Sequence, residues 1–269
     1  MNPEFVDQIS KEVEPLRRRL RIGIVGVMGS GKSEIANLLA ERWPDTIVIR
    51  EQFEKNPFLE DFYKNPCKFS FKSQAWFLSM KAEQLSKKKL GISEALYTTI
   101  RDPDIVSDYL FAKTQHDLNQ MTDFDWELYK TLYVSLREAR GVAESDLTIV
   151  PWSPLEVVVE RIAKRGRSFE DEVDVNYLKA LSDNVLEWSE EEKEHSPVFL
   201  ISSDYYDYLD RDRDEVGSWI EGRISLTLAA KKSNAKSETI ISPKFATVGN
   251  IKNDHPPSTP WVSKRFFNP

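Results

Sequence analysis

The chain has 269 residues, enough for one large α/β domain with a buried core, and 30% of them are charged against 40% hydrophobic. Its formal net charge of −7 excludes the broad basic face of a general nucleic-acid binder, and no apolar run is long enough to span a bilayer. One cysteine, Cys67, excludes an internal disulfide, and the first twenty residues lack the pattern of a secretory signal. We therefore expect a cytoplasmic protein with no nucleic-acid or membrane partner.

Short apolar runs rich in Ile and Val alternate along the chain with longer segments of helical period. The predicted strands are RIGIVGV (21–27), TIVIRE (46–51), ALYTTIRD (95–102), DLTIVPW (146–152) and PVFLISSD (197–204). Helices are predicted at 33–43, about 70–90, 105–118, 122–143, 154–166 and 175–192. Because strands that alternate with helices pair in parallel through crossovers, we expect an open α/β sheet with helices on both faces.

The two ends of the chain differ in character from this central part. Within residues 1–20, the charged stretch 4–20 is expected to form a helix, and residues 21–230 are expected to form the domain. From 231 to 269 the sequence is rich in Lys, Ser, Asn and Pro without a sustained period, which predicts a flexible tail.

The run GVMGSGKS, residues 26–33, fits the phosphate-loop pattern G-x-x-x-x-G-K-[ST] and lies between a predicted strand and a predicted helix. Glycines let the backbone curl so that N–H groups face an anion, and the helix N-terminus adds partial positive charge. The residues expected to hold ATP are Gly26, Gly29, Ser30, Gly31, Lys32 and Ser33. In this pattern Lys32 reaches the β- and γ-phosphates and the Ser33 hydroxyl ligates Mg²⁺. The loop predicts that the protein binds a phosphate donor, but it does not identify the acceptor. The lack of an N-K-x-D run weighs against a GTPase.

Three arginines fall within seven residues of the run ERIAKRGRSFE, which spans 160–170. Arg161 and Arg165 are four residues apart and share one helix face, and Arg167 follows Gly166. Arginines that close over a migrating phosphoryl group stabilise the charge on its oxygens. The alternative is a solvated basic stretch paired with neighbouring acids, but beside a phosphate loop we prefer an Arg-rich lid.

Glu51 ends the second predicted strand, directly after the helix that follows the phosphate loop. Ligands of open α/β sheets bind at the carboxyl ends of the strands. A carboxylate there can take the proton from an attacking hydroxyl group, although an acid at a strand end is more often simply solvated.

Together these motifs resemble the deoxynucleoside kinase family over residues 21–210. The matching residues beyond the phosphate loop are Glu51, Tyr63, Gln74, Asp108, Arg161, Arg165, Arg167 and Glu170. The resemblance implies a P-loop kinase fold, with an open parallel sheet, helices on both faces and an Arg-rich lid. It also implies ATP and Mg²⁺ as cofactors, a deoxynucleoside substrate and pairing into a homodimer through helices.

The resemblance implies a role for each residue of the acceptor site. Tyr63 would hold the sugar 3′-hydroxyl and pair with Glu170, while Gln74 and Asp108 would face the base. Lys81 stands seven residues after Gln74, where the family often has an arginine. This lysine is also expected to face the base, and the change from arginine is expected to alter base choice.

One segment departs from the family's pattern of an acid-Arg-Ser triplet after the third strand. Here the triplet positions hold Asp102, Pro103 and Asp104. Arg101 lies one residue before Asp102 and, on an extended strand, would point to the side opposite Asp102. Asp102 is still expected to help hold Mg²⁺. The missing arginine leaves three alternatives open: a weakened enzyme, a relocated contact, or a relative that has lost catalysis.

These observations predict an enzyme that moves the γ-phosphate of ATP to the 5′-hydroxyl of a deoxynucleoside. Glu51 is expected to act as the base, while Lys32, Mg²⁺ and the three lid arginines carry the developing charge. Two alternatives are a nucleotide-binding accessory or regulatory protein on the same fold, and a nucleoside monophosphate kinase.

Overall fold

The computed structural model of this chain describes residues 19–167, 173–207 and 210–232. Within these ranges it has one parallel sheet with the strand order β2-β3-β1-β4-β5. The strands are β1 (Arg21–Ile24), β2 (Thr46–Arg50), β3 (Thr98–Asp102), β4 (Leu147–Trp152) and β5 (Val198–Ser202). The predicted open parallel sheet is confirmed, and each predicted strand contains one of these.

Nine helices surround the sheet within the described ranges, and a short 3₁₀ turn covers Phe53–Lys55. The helices are α1 (Lys32–Arg42), α2 (Leu59–Lys64), α3 (Pro66–Gln84), α4 (Lys87–Leu96), α5 (Ile105–Asp117), α6 (Asp123–Arg140), α7 (Leu155–Arg165), α8 (Val175–Glu192) and α9 (Arg213–Lys232).

Side chains that alternate along the strands build two hydrophobic cores, one on each face of the sheet. On β5, Phe199 packs into one core and Leu200 into the other. The core that contains Phe199 is covered by α1 and α9, whereas α3, α5, α6 and α8 contribute to the core that contains Leu200. Strands with both faces buried read as nearly continuous apolar runs, which explains why they were recognisable in the sequence.

Three features of the helices differ from the sequence prediction, and one of them is α2, which was not predicted. The single helix expected at about 70–90 is two helices, because α3 ends at Gln84 and the side chain of Ser86 caps α4 by accepting a hydrogen bond from the Lys89 amide. Helix α9 was not predicted, and its sequence contains two glycines, which are poor helix formers.

The predictions for the two ends of the chain fall almost entirely outside the described residues. Of the helix expected at 4–20, only residues 19–20 are described, and they are not helical. Of the tail expected at 231–269, residues 231–232 end α9 and the others lie outside the described ranges.

Because all the strand pairings are parallel, the carboxyl ends of the strands meet at one edge of the sheet. The phosphate loop leaves β1 at the centre of that edge, with β3 on one side and β4 on the other. Glu51 follows β2 directly, and Arg50 at the end of β2 is in register with Asp102 at the end of β3. The topology therefore brings the phosphate loop and both predicted acids to the same edge.

Candidate active site

A cavity of about 1060 Å³ opens at the carboxyl edge of the sheet. The predicted site residues that line it are Gly29, Gly31, Lys32, Ser33, Glu51, Tyr63, Gln74, Asp102, Asp108, Arg161, Arg165 and Arg167. Gly26, Ser30 and Lys81 do not line it, and Glu170 lies outside the described residues. The volume is that of a pocket for a small organic ligand or a pair of them.

The phosphate loop adopts the curled backbone that its glycines predict. Gly29 has a φ of 79° and Gly31, the N-cap of α1, has a φ of 94°, both in the left-handed region that favours glycine. A Cβ at Gly29 would also lie 3.0 Å from the carbonyl oxygen of Val158, so a side chain there would be strained and crowded. The loop thus leads directly into the N-terminus of α1, where backbone N–H groups point out of the end of the helix.

The ammonium group of Lys32 folds back onto its own loop. Its Nζ donates hydrogen bonds to the carbonyl oxygens of Gly26 at 2.9 Å and Val27 at 2.7 Å. Burial lowers the pKa of Lys32 to about 8, against the opposing effect of the nearby carboxylates of Asp102 and Glu51. An anion in the loop would favour the charged form of this lysine, which makes Lys32 suited to bind phosphate.

Glu51 is held at the cavity wall by contacts with two other elements. Its backbone N–H donates to the carbonyl oxygen of Asp102 at 3.1 Å, and its Oε1 lies 3.3 Å from Nζ of Lys81. The side chain of Glu51 is 28% exposed and that of Lys81 is 2% exposed. The carboxylate therefore faces the cavity while the ammonium lies behind it.

Lys81 contacts Glu51 and is absent from the cavity wall where a residue facing the base is expected. Its Nζ also donates to the carbonyl oxygen of Pro103 at 3.0 Å. Burial opposes the charge of Lys81, but the carboxylates of Glu51 and Asp108 outweigh that effect and raise its pKa.

Asp102 faces the cavity and is paired with an arginine that sequence reasoning missed. Nη1 of Arg50 lies 3.1 Å from Oδ2 of Asp102, and Nη2 of Arg50 donates to Oδ1 of Asn37 on α1. The signal for Arg50 was its position at the end of β2, one residue before Glu51. Residues that follow β5 also line the cavity and could have been found by the same rule: Ser203, Asp204, Tyr205, Tyr206, Asp207 and Arg211.

The three arginines predicted to form a lid all face the cavity. Arg161 donates through Nη1 to the hydroxyl oxygens of Ser153 at 3.1 Å and Ser203 at 2.9 Å, which ties α7 to the ends of β4 and β5. α7 then ends at Gly166, which has a φ of 64°. The guanidinium of Arg167 lies 4.1 Å from the ring centroid of Phe53. The positions of these three arginines disagree with the alternative of a basic stretch that is only solvated.

The far side of the cavity has the buried polar groups expected of a base-reading pocket. Gln74 on α3 is buried and lines the cavity together with Phe77 and Phe111. Asp108 on α5 is buried as well, and its Oδ2 has no hydrogen-bond partner among the described residues. Burial raises the pKa of Asp108 well above its usual value, with Lys81 opposing the shift.

Arg101 points away from the cavity, as its place one residue before the triplet position predicts. The side chain is 1% exposed, donates to the carbonyl oxygen of Ala143 at 2.8 Å and pairs with Glu94 at 2.9 Å. It therefore does not replace the arginine that the family has at the position of Pro103.

A family model described as deoxynucleoside kinase matches residues 22–221, most of the chain. The chain belongs to the deoxynucleoside kinase family. This membership makes the protein a kinase that uses a nucleotide as phosphate donor, and it favours an enzyme over the accessory protein that the departed triplet left open.

Several relatives of this kinase match much of its length. A probable deoxycytidine kinase of fowlpox virus is 28% identical over 72% of this chain and 83% of its own. The deoxyguanosine kinase of Bacillus subtilis is 29% identical over 60% of this chain and 73% of its own. The solved structure of deoxyadenosine kinase from M. mycoides with bound dCTP is 26% identical, covers 80% of this chain and 99% of that chain, and has a TM-score of 0.61. The P-loop kinase fold is thereby confirmed.

Within residues 19–167, 173–207 and 210–232, the kinase has no helix that is both long and apolar enough to cross a bilayer.

Replacing Lys32 with Met tests the donor side of the cavity. Loss of a charge-assisted hydrogen bond, about 1.5–3 kcal/mol, should weaken ATP binding about tenfold to 150-fold in calorimetric titrations. Lys72→Met is the matched control, because Lys72 is an exposed lysine of α3 that does not line the cavity. Equal ATP affinity in the two variants would place the phosphates elsewhere.

Proposed function

We propose that this kinase transfers the γ-phosphate of ATP to the 5′-hydroxyl of a deoxynucleoside. The observation that supports this most strongly is a shared cavity, which the phosphate loop, Glu51 and the buried amide of Gln74 all line. The cavity has groups suited to bind a donor triphosphate and groups suited to bind a nucleoside acceptor. The names of the relatives, which are deoxycytidine, deoxyguanosine and deoxyadenosine kinases, favour a deoxynucleoside as acceptor.

On the donor side, backbone amides from Gly29 to Ser33 would hold the phosphates, and Lys32 would turn from its loop carbonyls toward the β- and γ-oxygens. Arg161, Arg165 and Arg167 would carry the developing charge on the same oxygens, since all three line the cavity. The hydrogen bonds of Arg161 to Ser153 and Ser203 would also fix the base of the lid helix.

Residues of this edge also fit a magnesium ion. The Ser33 hydroxyl and the Asp102 carboxylate both line the cavity, and Arg50 contacts one carboxylate oxygen of Asp102. Mg²⁺ prefers oxygen ligands and is commonly held by one or two protein groups together with substrate phosphates. The described residues contain no group of three or more His, Cys, Asp or Glu side chains that could hold a metal ion by itself. When bound, the ion would neutralise charge on the β- and γ-phosphates.

On the acceptor side, Glu51 would accept the proton of the 5′-hydroxyl as that oxygen attacks the γ-phosphorus. The new O5′–P bond forms, the bond to the β-phosphate oxygen breaks, and ADP leaves. Tyr63 would hold the 3′-hydroxyl, while Gln74 and Asp108 would bind the base. Glu170, the expected partner of Tyr63, belongs to this proposal only by its place in the lid motif.

We also propose that the kinase pairs with a second copy of itself, as the family resemblance implies. Two helices have exposed apolar pairs four residues apart, which share one helix face: Ile92 and Leu96 on α4, and Phe124 and Leu128 on α6. Phe124 is 78% exposed and Ile92 is 81% exposed, an unusual exposure for side chains of this size.

The transfer itself is tested with γ-³²P-ATP and the four common deoxynucleosides, comparing Glu51→Gln with the wild type. Loss of a general base should lower kcat about 10²- to 10⁴-fold while ATP binding is kept. Glu60→Gln is the matched control, an exposed acid of α2 outside the cavity. Absence of a labelled 5′-monophosphate in wild-type protein that binds ATP would refute the proposal, and faster labelling of dTMP than of thymidine would favour a nucleoside monophosphate kinase.

Pairing is tested by sedimentation equilibrium of the full chain. The wild type should have twice the monomer mass at micromolar concentration, and Phe124→Glu with Leu128→Glu should shift it to the monomer, since a buried unpaired charge is costly. Val175→Glu, at an exposed apolar position of α8, should leave the mass unchanged. A monomeric wild type contradicts the pairing.

A further inference from the structure

The chemistry proposed for Glu51 needs its carboxylate to stay at one place on the cavity wall. A side chain that faces a solvent-filled cavity has several rotamers, and fixing one costs conformational entropy. Position 103 offers no side-chain donor for this purpose, because it holds a proline. Arg101 contacts Glu94, the carbonyl oxygen of Ala143 and Asp104, and it does not line the cavity.

Lys81 has the geometry to fix Glu51. It reaches from the middle of α3 to within 3.3 Å of Oε1 of Glu51, and it is anchored by its hydrogen bond to the carbonyl oxygen of Pro103 at 3.0 Å. Because its side chain is 2% exposed, the ammonium has little freedom to move and little competition from water. A buried lysine is costly unless it is paired, so its place in the interior depends on these partners.

The charges around Lys81 show what its removal would do. The carboxylates of Glu51 and Asp108 and, at lower strength, that of Asp104 all act on this ammonium. Without the cation, Glu51 and Asp108 would repel each other in a poorly solvated region, whereas Asp104 keeps Arg101, whose Nη1 lies 3.7 Å from its Oδ2. Glu51 is the most exposed of the three, at 28% against 5% or less for the side chain of Asp104 and 4% for Asp108, so it is the one that can turn away into the cavity.

We infer that Lys81 is a positioning residue, which holds the Glu51 carboxylate at the cavity wall from behind and supplies the cation that position 103 lacks. This inference rests on the proposed function of Glu51 as the base. It also replaces the expectation that Lys81 reads the nucleoside base, because the lysine is screened from the cavity by Glu51 and Pro103. Of the three alternatives left by the departed triplet, it selects the relocated contact.

A double-mutant cycle separates this role from a merely structural one. Lys81→Met keeps the length of the side chain and removes its charge. We expect it to lower kcat at least about 30-fold while the KM values for ATP and deoxynucleoside change less than about threefold. In a Glu51→Gln background the same substitution should cost less than about threefold, since a residue that acts through Glu51 has nothing left to hold.

Two further variants serve as controls. Lys113→Met removes another buried lysine, which is paired with Asp117 and Asn184 and does not line the cavity, so it should lower the melting temperature without changing kcat. Lys81→Arg keeps the charge and should retain kcat within about tenfold of the wild type. The ratio of kcat/KM among the four deoxynucleosides should be unchanged in Lys81→Met, whereas a base-reading lysine would alter it.

The outcomes distinguish this inference from the proposed function. If the wild type phosphorylates a deoxynucleoside and Lys81→Met does so equally well, or if the loss is the same in the Glu51→Gln background, the positioning role is wrong and the function stands. If the wild type phosphorylates none, the proposed function fails, and crystal structures of the wild type and Lys81→Met then test the contact alone. A Glu51 carboxylate that stays in place in Lys81→Met would overturn the inference.

Discussion

The parallel pairing of β1 with both β3 and β4 is the constraint on which the site depends. It places the phosphate loop at the centre of the carboxyl edge and brings the ends of β2 and β3 beside it. Residues far apart in sequence, such as Lys32 and Asp102, then act on each other electrostatically. A single change in strand direction would move one of these groups to the opposite edge of the sheet. The order and direction of the strands therefore determine which side chains can meet in the site.

Charge compensation is the second feature of the site. Two acids at the carboxyl edge each have a cation from another element: Lys81 from α3 for Glu51, and Arg50 from β2 for Asp102. Lys32 is held by carbonyl oxygens of its own loop. Unlike Lys32, the two paired acids need little rearrangement when a ligand binds, and such preorganisation is the main source of electrostatic catalysis.

Sequence reasoning recovered the parts of the structure that are encoded locally. The strands are short apolar runs with both faces buried, and the phosphate loop has a fixed spacing whose conformation requires glycine at 29 and 31. The boundary between α3 and α4 was missed because the apolar period runs through Ser86, whose capping role depends on one hydrogen bond. Helix α9 was missed because its stability comes from packing, through buried residues such as Ile220 and Ile224, against α1 and the sheet.

Pairings between distant side chains are the part that the sequence could not predict. Gln74 and Lys81 lie on the same helix, seven residues apart, yet one lines the cavity and the other is buried behind Glu51. Residues seven apart on α3 point in the same general direction. Which of the two side chains reaches the ligand depends on where β2 and Pro103 pack against that helix. Arg50 is similar, since its partner Asp102 belongs to a strand fifty residues later.

The central claim is that one cavity holds donor and acceptor so that Glu51 meets the nucleoside 5′-oxygen opposite the phosphate loop. A crystal structure with a non-hydrolysable ATP analogue and a deoxynucleoside tests it most directly. The account predicts triphosphate against the amides of Gly29 to Ser33 and the 5′-oxygen within hydrogen-bond distance of Glu51, in line with the γ-phosphorus. A nucleoside bound with its 5′-oxygen remote from Glu51, or a triphosphate outside the loop, would contradict it.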